Sequence, residues 1–456
     1  MSSLPYGRQL AKIVVQPPGP NSRRLSAQLR RFESRNITYV SADFPIFWSS
    51  ALGSNVTDVD QNVYVDLTAA FGVAVVGHSN ERVADAVARQ AHRLLHGMGD
   101  VYPTGNKVAL AKMLCEVTPG TGPKRVIFAS SGAEAVESAL KTAAVATGKP
   151  RVVCFSGAYH GLTYGALAVT DRRIFKEPFL QQLGDFAVRA PYPYSYRCPS
   201  ELSQPTCEEG CFAALREIVE QDQAIGAVIV EIVQGRGGDV VAPVEWLKKV
   251  RKLCDERHLV LIADEIFTGF GRTGHWFACD RAGIVPDIIC VGKGMSSGFP
   301  ISACIGTASV MDRWPESGGE AIHTSTFLGN PTGCEAALAS IAELREANLV
   351  QRAATLEPAI RQTLEDIKAS SQGTIGEVRG CGLMWGLEFV RDGKAPDSAM
   401  AGAVVVEAMR RGVLVLTSGP ASNVISLSPP LVISSEQLEF ALRVLRAAVA
   451  RAVEQK

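Results

Sequence analysis

Residues 259–298 read LVLIADEIFTGFGRTGHWFACDRAGIVPDIICVGKGMSSG. Two apolar runs of strand length stand in this stretch, LVLIAD and DIICVG, and each gives way to a charged residue where the chain leaves the sheet: Asp264 after the first, Lys293 after the second. Open α/β sheets hold ligands in the crevice beyond the carboxyl ends of their strands. A carboxylate and an amine at two such ends therefore face one crevice and act on one molecule.

Pyridoxal phosphate is a cofactor that needs this pair. Its ring nitrogen must carry a proton for the ring to accept electrons, and its aldehyde must be held on a lysine. A buried Asp264 keeps that nitrogen protonated through a charge-assisted hydrogen bond. Lys293 supplies the amine and, once substrate has displaced it, can carry protons between carbon atoms.

Upstream, the run RVIFASSGAEAVESALKTAAVAT reads as a buried strand, a sharp turn and a long alanine-rich helix. Ser131 and Glu134 form an S-x-x-E capping box that marks the helix start. With Gly132 in the first turn, a phosphate can approach unpaired amides at the positive end of the helix dipole. Further along, RVVCFSGAYHGLTYGALAVT gives another strand followed by Tyr159 and His160, and GAVIVEIVQGRGGDVVAP gives a strand ending at Glu231 before a glycine-rich loop. Near the amino terminus, NVTDVD and NVYVDL alternate as paired strands about a turn at 60–62. Helical periodicity runs through 81–96 and 106–117, and a helix is predicted over 26–33.

Three other functions are excluded or disfavoured. The GFGRTG at 269–274 fits G-x-G-x-x-G, yet HWFACDRAGI does not open the long helix that a dinucleotide fingerprint requires. Cys198, Cys207 and Cys211 lie in a proline- and tyrosine-rich stretch predicted to be a surface loop over 191–211, and they lack the close pair and the fourth ligand of a structural zinc site. Lysine plus arginine equals aspartate plus glutamate, 46 of each, so no global field favours nucleic acid or an acidic membrane surface. No apolar run has the length of a signal peptide or a membrane span, and eleven cysteines in mostly apolar contexts suit reduced core thiols; cytoplasm is the expected compartment. At 456 residues the chain exceeds what one core usually supports, which predicts two domains.

The segments ADEIFTGFGRTG and PDIICVGKGMSSGFPISACIG resemble the signature of the class III (omega-type) aminotransferases, in the aspartate-aminotransferase superfamily. The resemblance implies an α/β, fold-type I pyridoxal phosphate enzyme: a large domain with a mostly parallel seven-stranded sheet flanked by helices, and a smaller α+β domain. It implies an amino-terminal segment (1–75) belonging to the small domain, a large cofactor-binding domain (76–330) and the rest of the small domain (331–456). It assigns the phosphate to Ser131, Gly132 and Ala133, ring stacking to Tyr159 with His160 beside it, and a place near the cofactor to Glu231. It also puts Phe71 near the substrate and gives Thr326 a reach across a homodimer to the neighbour's phosphate.

The chain departs from the family pattern at four places, the first being Ile232, where many members have a proline after the glutamate. Arg236 stands where many members have a glutamate, Ser426 where they have a carboxylate-gripping arginine, and Phe267 where a glutamine bonds the cofactor's phenolic oxygen. Either Arg236 takes the carboxylate from the opposite wall, or the substrate has none there and is an amine or an amino sugar. The expected reaction is ping-pong transfer of an amino group from a primary amine, omega-amino acid or amino sugar to a keto acceptor. Racemisation, epimerisation or decarboxylation on the same scaffold is the alternative. A non-enzymatic interaction protein is the third class, and an intact Asp264 with Lys293 argues against it.

Overall fold

A computed structural model describes residues 7–38, 41, 44–198 and 206–454. Its centre is a seven-stranded sheet in the order Lys124–Ala129, Ser302–Thr307, Ile288–Val291, Val260–Asp264, Ile225–Val230, Arg151–Phe155, Ala187–Ala190. Only Ser302–Thr307 runs against its neighbours; the other six strands point one way. The interior strands are covered on both faces, which is why they read as unbroken apolar runs without alternation.

This direction puts the ends of several strands along one edge. Asp264 is the last residue of its strand and lies opposite Cys290, so Lys293 leaves the sheet just beyond it. Val230 lies opposite Ala263, which brings Glu231 to the same edge. The strand Lys124–Ala129 delivers the helix Gly132–Thr147, capped by the Ser131 hydroxyl accepting from the Glu134 amide and ended at Gly148 in the left-handed region. The capping box is offset from its predicted form: the Glu134 carboxylate accepts from the amide of Ser130 at 2.8 Å, one residue before the cap. Behind the strand that leads to Tyr159, the buried rings of Phe155, Tyr192 and Trp246 meet edge to face at 5.2–5.9 Å, each such pair adding about 0.5–1.5 kcal/mol beyond its buried area.

The amino-terminal strands Trp48–Leu52, Asn55–Asp58 and Val63–Asp66 form an antiparallel meander, completed by Val413–Leu414 pairing in parallel with the third. An antiparallel sheet of Ile375–Cys381, Met384–Arg391, Val424–Leu427 and Leu416–Ser418 lies nearby in the carboxyl-terminal part, beside the helices Leu349–Ala369, Ser398–Arg410 and Ser435–Glu454. The helix Pro331–Glu346 packs instead on Glu81–Arg93 and Gly105–Val117. Arg272, in the GFGRTG stretch, is wholly buried; its Nη1 donates to the carbonyls of Leu383 and Pro429, and its own carbonyl accepts from the Leu383 amide at 2.9 Å. That glycine-rich run therefore joins the main sheet to the carboxyl-terminal part, and the helix after it, Ala278–Ala282, spans five residues.

The stretch 191–211 is not a loop throughout. A helix starts at Cys207 and runs to Gln221, with Thr206 capping through its hydroxyl, which accepts from the Glu209 amide at 3.2 Å. Cys207 and Cys211 sit one turn apart on it, sulfurs 4.0 Å from each other. Among the described residues no group of histidine, cysteine or acidic side chains is arranged to hold a metal, and no helix is long and apolar enough to cross a membrane.

Candidate active site

At the carboxyl edge of the main sheet lies a cavity of about 290 Å³. Nine of the predicted residues line it: Gly132, Ala133, Tyr159, His160, Glu231, Arg236, Asp264, Phe267 and Lys293. They come from segments up to 161 residues apart in sequence and meet because their strands end at the same edge.

Asp264 is nearly buried, and both its oxygens are engaged. Oδ2 lies 2.7 Å from His160 Nδ1, and Oδ1 accepts from the Ile266 amide at 3.1 Å. Each carboxylate oxygen has a further lone pair, so a bond to a protonated ring nitrogen remains available. His160 is oriented in turn by its own amide, which donates to Thr170 Oγ1 at 2.9 Å, and its buried Nε2 has no partner among the described residues. Glu231 accepts from the amides of Tyr159 and Gly235 at 2.8 and 3.2 Å. Burial pushes its pKa up to about 7; the nearby Asp264 adds to the rise, and His160 opposes it. The neighbour of Asp264 does different work: Glu265 turns inward, accepting from the amides of Ala278 and Cys279 at 3.0 and 2.7 Å, and so braces the turn on which Asp264 sits.

Lys293 follows Gly292 and takes a left-handed backbone, φ 39°, a conformation that costs a non-glycine residue about 1–3 kcal/mol and concentrates at functional sites. Burial lowers its pKa, with Asp264 and Glu231 pulling the other way. Its Nζ lies 4.7 Å from the centre of the Phe267 ring and has no hydrogen-bond acceptor among the described residues. Phe267 is itself packed between two glycines. A Cβ on Gly72 would stand 2.0 Å from one edge of the ring, and one on Gly235 would stand 2.3 Å from the other.

Beside Gly292 and Ile266 the helix Gly132–Thr147 presents the amides of Gly132 and Ala133, which take no acceptor among the described residues. A Cβ on Gly132 would come within 3.0 Å of Ile266, so that side chain would have to give by a few tenths of an ångström. Tyr159 borders the same space, meeting Phe175 edge-on at 6.0 Å. Acid, amine and open helix terminus together fit pyridoxal phosphate: Asp264 toward the ring nitrogen, Lys293 toward the aldehyde, Gly132 and Ala133 toward the phosphate.

The class III aminotransferase family model matches residues 38–449. The chain belongs to that family. Class III aminotransferases are pyridoxal phosphate enzymes. Among relatives, a 4-aminobutyrate aminotransferase of Mycobacterium tuberculosis is 38% identical over 99% of this chain and 100% of its own. A leucine/methionine racemase of Thermococcus litoralis is 34% identical over 92% of this chain and 93% of its own. Among solved structures, an amine transaminase from an uncultivated Pseudomonas species with pyridoxal phosphate bound aligns with a TM-score of 0.84, at 30% identity over 92% of this chain and 99% of that one.

For this aminotransferase the structure also shows which predicted residues stay outside the cavity. The Ser131 hydroxyl caps the helix, and its carbonyl accepts from Ser302 Oγ. Phe71 is 60% exposed and belongs to a run of four left-handed residues, Ala69 to Gly72, whose last member touches the Phe267 ring. Thr326 is exposed. Ser426 lies on Val424–Leu427 against the buried carboxyl of Asp239, close enough to favour its ionised form although without good hydrogen-bond geometry; burial nevertheless pushes that carboxyl up to about 8. Sequence reasoning missed Leu162, Val233, Ile266 and Thr268, which supply much of the remaining lining. Their proximity to His160, Glu231 and Asp264 in sequence was the available signal.

Proposed function

We propose that this aminotransferase moves an amino group from a primary amine, omega-amino acid or amino sugar to a keto acceptor in two half-reactions. The observation that carries this reading is the convergence of Lys293, Asp264 and the unpaired amides of Gly132 and Ala133 on one cavity. Pyridoxal phosphate, when bound, supplies an electron-withdrawing ring. Asp264, oriented by His160, holds the proton on the ring nitrogen. Lys293, its pKa lowered by burial, takes a proton from the substrate carbon and returns it at a second carbon. Tyr159 orients the ring plane, Gly132, Ala133 and the Ser131 turn hold the phosphate, and Glu231 fixes the loop carrying Gly235. In the test, protein loaded with the cofactor is reduced with borohydride and digested, and aminated products are assayed with pyruvate and 2-oxoglutarate as acceptors. A label absent from the peptide containing Lys293 overturns the reading.

A homodimer is part of the proposal. Leu95, Met98, Val101, Tyr102, Ile322 and Phe327 are all more than half exposed, on two segments joined by His96 against Phe327 and by Thr324 to Asp100. Such an apolar surface calls for a cover, and the exposed Thr326 lies within it, which supports the expectation that it contacts a neighbouring subunit's phosphate. A fully active monomer in sedimentation contradicts this. The cytoplasm is the proposed compartment, supported by eleven cysteines with none in a disulfide, and cell fractionation tests it.

The pairing of Val413–Leu414 with Val63–Asp66 supports one small domain built from both ends of the chain. The packing of Pro331–Glu346 on the large domain supports a division near residue 347 rather than at 330. Racemisation is the second reading, because a racemase is among the relatives. Supplying a single enantiomer of an amino acid separates the two: a keto acid product means transamination, the mirror-image amino acid means racemisation.

A further inference from the structure

The helix Gly132–Thr147, whose first turn borders the cavity, holds a second segment on its flank. Ser138, Lys141 and Thr142 stand three and four residues apart, on one helix face. Thr142 Oγ1 accepts from Trp314 Nε1 at 3.0 Å, Ser138 Oγ lies 2.8 Å from His323 Nε2, and Lys141 Nζ lies 3.2 Å from His323 Nδ1. The indole of Trp314 and the imidazole of His323 are stacked, with centres 6.2 Å apart and planes 22° from parallel. One residue further on, Thr324 Oγ1 donates to Asp100 Oδ2 at 3.0 Å. The segment that carries Thr326 is thus pinned between the helix and Asp100, and His323 ties it to the helix.

These contacts fix the state of the imidazole. An ammonium has no lone pair, so Lys141 can only donate, and Nδ1 must accept. The single hydroxyl proton of Ser138 goes to the Glu134 carbonyl at 2.9 Å, so the Ser138 oxygen accepts from Nε2–H. Both requirements name the same neutral tautomer. A second proton on the ring would sit on Nδ1 and point at the ammonium, turning a hydrogen bond into a contact between two cations 3.2 Å apart.

The acids nearby are engaged or exposed. The Glu134 carboxylate accepts from the Ser130 amide at 2.8 Å, and Glu137 accepts from Thr163 Oγ1 and the Ala166 amide at 2.6 and 3.0 Å. Arg125, which borders the same cleft, pairs with Asp312 at 3.0 Å, and Glu316 and Glu320 of the segment itself are exposed. Burial and Lys141 hold the imidazole below its ordinary 6.5, with Glu137 and Glu134 pulling the other way.

We propose that His323 is a positioning residue that, when neutral, latches residues 314–328 with their Thr326 to the helix Gly132–Thr147, and that protonation releases the latch. Because the folded-state pKa lies below the unfolded one, the contribution of the latch is full above about 6.5 and is lost as pH falls below it. The latch stands on the contacts of His323 alone. Its effect on the cofactor rests on the homodimer reading, in which Thr326 contacts the neighbouring subunit's phosphate.

The test follows amide hydrogen exchange of the peptide covering 314–328 in the pyridoxal phosphate-loaded protein at about pH 7.5 and about pH 5.5, with rates corrected for the intrinsic effect of pH. Protection in the wild type falls roughly 3- to 10-fold at the lower pH. His323→Gln, whose oxygen can accept from Lys141 while its amide donates to Ser138, keeps its protection at both. So does Lys141→Gln, whose amide can donate to Nδ1 or accept from it. Cofactor retained through gel filtration and dimer content in sedimentation are measured on the same samples, and the wild type loses more of each in acid than His323→Gln does. Equal protection of the wild type at both pH values, or a fall in His323→Gln as large as that of the wild type, overturns the inference. Acid opening in the wild type with dimer and cofactor retained as in His323→Gln defeats the place given to Thr326 and leaves the latch standing.

Discussion

The two sides of the cavity are built differently. On one side Asp264, His160, Glu231 and Lys293 stand at or just beyond strand ends; the acids and the histidine are fastened by hydrogen bonds of 2.7–3.2 Å, and Lys293 by a strained backbone. On the other, Arg236 and Phe267 stand on loops, Arg236 without a polar partner among the described residues and Phe267 held by the absence of side chains at Gly72 and Gly235. The first side holds the acid and the amine that fit pyridoxal phosphate. The second carries the departures from the family pattern. The residues proposed for chemistry are held at the sheet, and those proposed for substrate stand on loops whose composition can change without disturbing it.

The sharpest way to break this contrast is to damage the anchored side. Lys293→Ala removes both the proposed cofactor attachment and the proposed proton carrier, and product formation is expected to fall by roughly 10⁴-fold. Asp264→Asn leaves the shape but not the charge; a loss of roughly 10²- to 10³-fold in turnover is expected, with thermal unfolding little changed. A Lys293→Ala protein that keeps its rate would show that the strand ends are scaffolding only.

Next in size are the two glycines around Phe267. Gly235→Ala drives a Cβ into the ring and is expected to cost about 1–3 kcal/mol in urea unfolding. Adding Phe267→Ala should restore most of that. Gly72→Ala meets the same ring but also has φ 75°, so Phe267→Ala should restore only part of its loss. Equal rescue at both positions would mean that backbone conformation at 72 contributes nothing.

Glu231 gives a pH-dependent effect. Its folded-state pKa of about 7 lies above the ordinary 4.5, so between these values the folded chain keeps a proton that the unfolded chain has lost. Stability from this group is present below about 4.5 and is lost as pH rises toward 7. Glu231→Gln is expected to flatten the melting temperature across that window. A wild-type profile already flat there excludes the shift.

The smallest effect belongs to the loop side. Arg236→Ala removes no hydrogen bond or ion pair, and unfolding free energy is expected to change by less than about 0.5 kcal/mol. A larger loss would make Arg236 part of the framework and erase the contrast.

Much of the anchored side was legible because strands buried on both faces announce themselves as apolar runs, and the residues at their ends follow from direction alone. Asp264, Lys293, Glu231 and the helix start at Gly132 were readable in this way. Two things were not. The helix at Cys207 was hidden by the proline and tyrosine before it, although Thr206 and Glu209 carried a capping signal. The place of Ser426 depends on its strand pairing with Gly386 and Leu416 and on a buried acid at residue 239, contacts between distant segments that no local pattern encodes.

Residues 418–420 deserve a final mechanical reading. Ser418 Oγ donates to the Gly235 carbonyl at 2.9 Å, the Gly419 amide donates to the Arg236 carbonyl at 3.2 Å, and the carbonyls of Gly419 and Pro420 receive Arg172. The turn thus fastens the loop bearing Arg236, and the Arg172 guanidinium, to the carboxyl-terminal sheet. That sheet thereby takes part in setting where both arginines stand, while Asp264 is held by the main sheet.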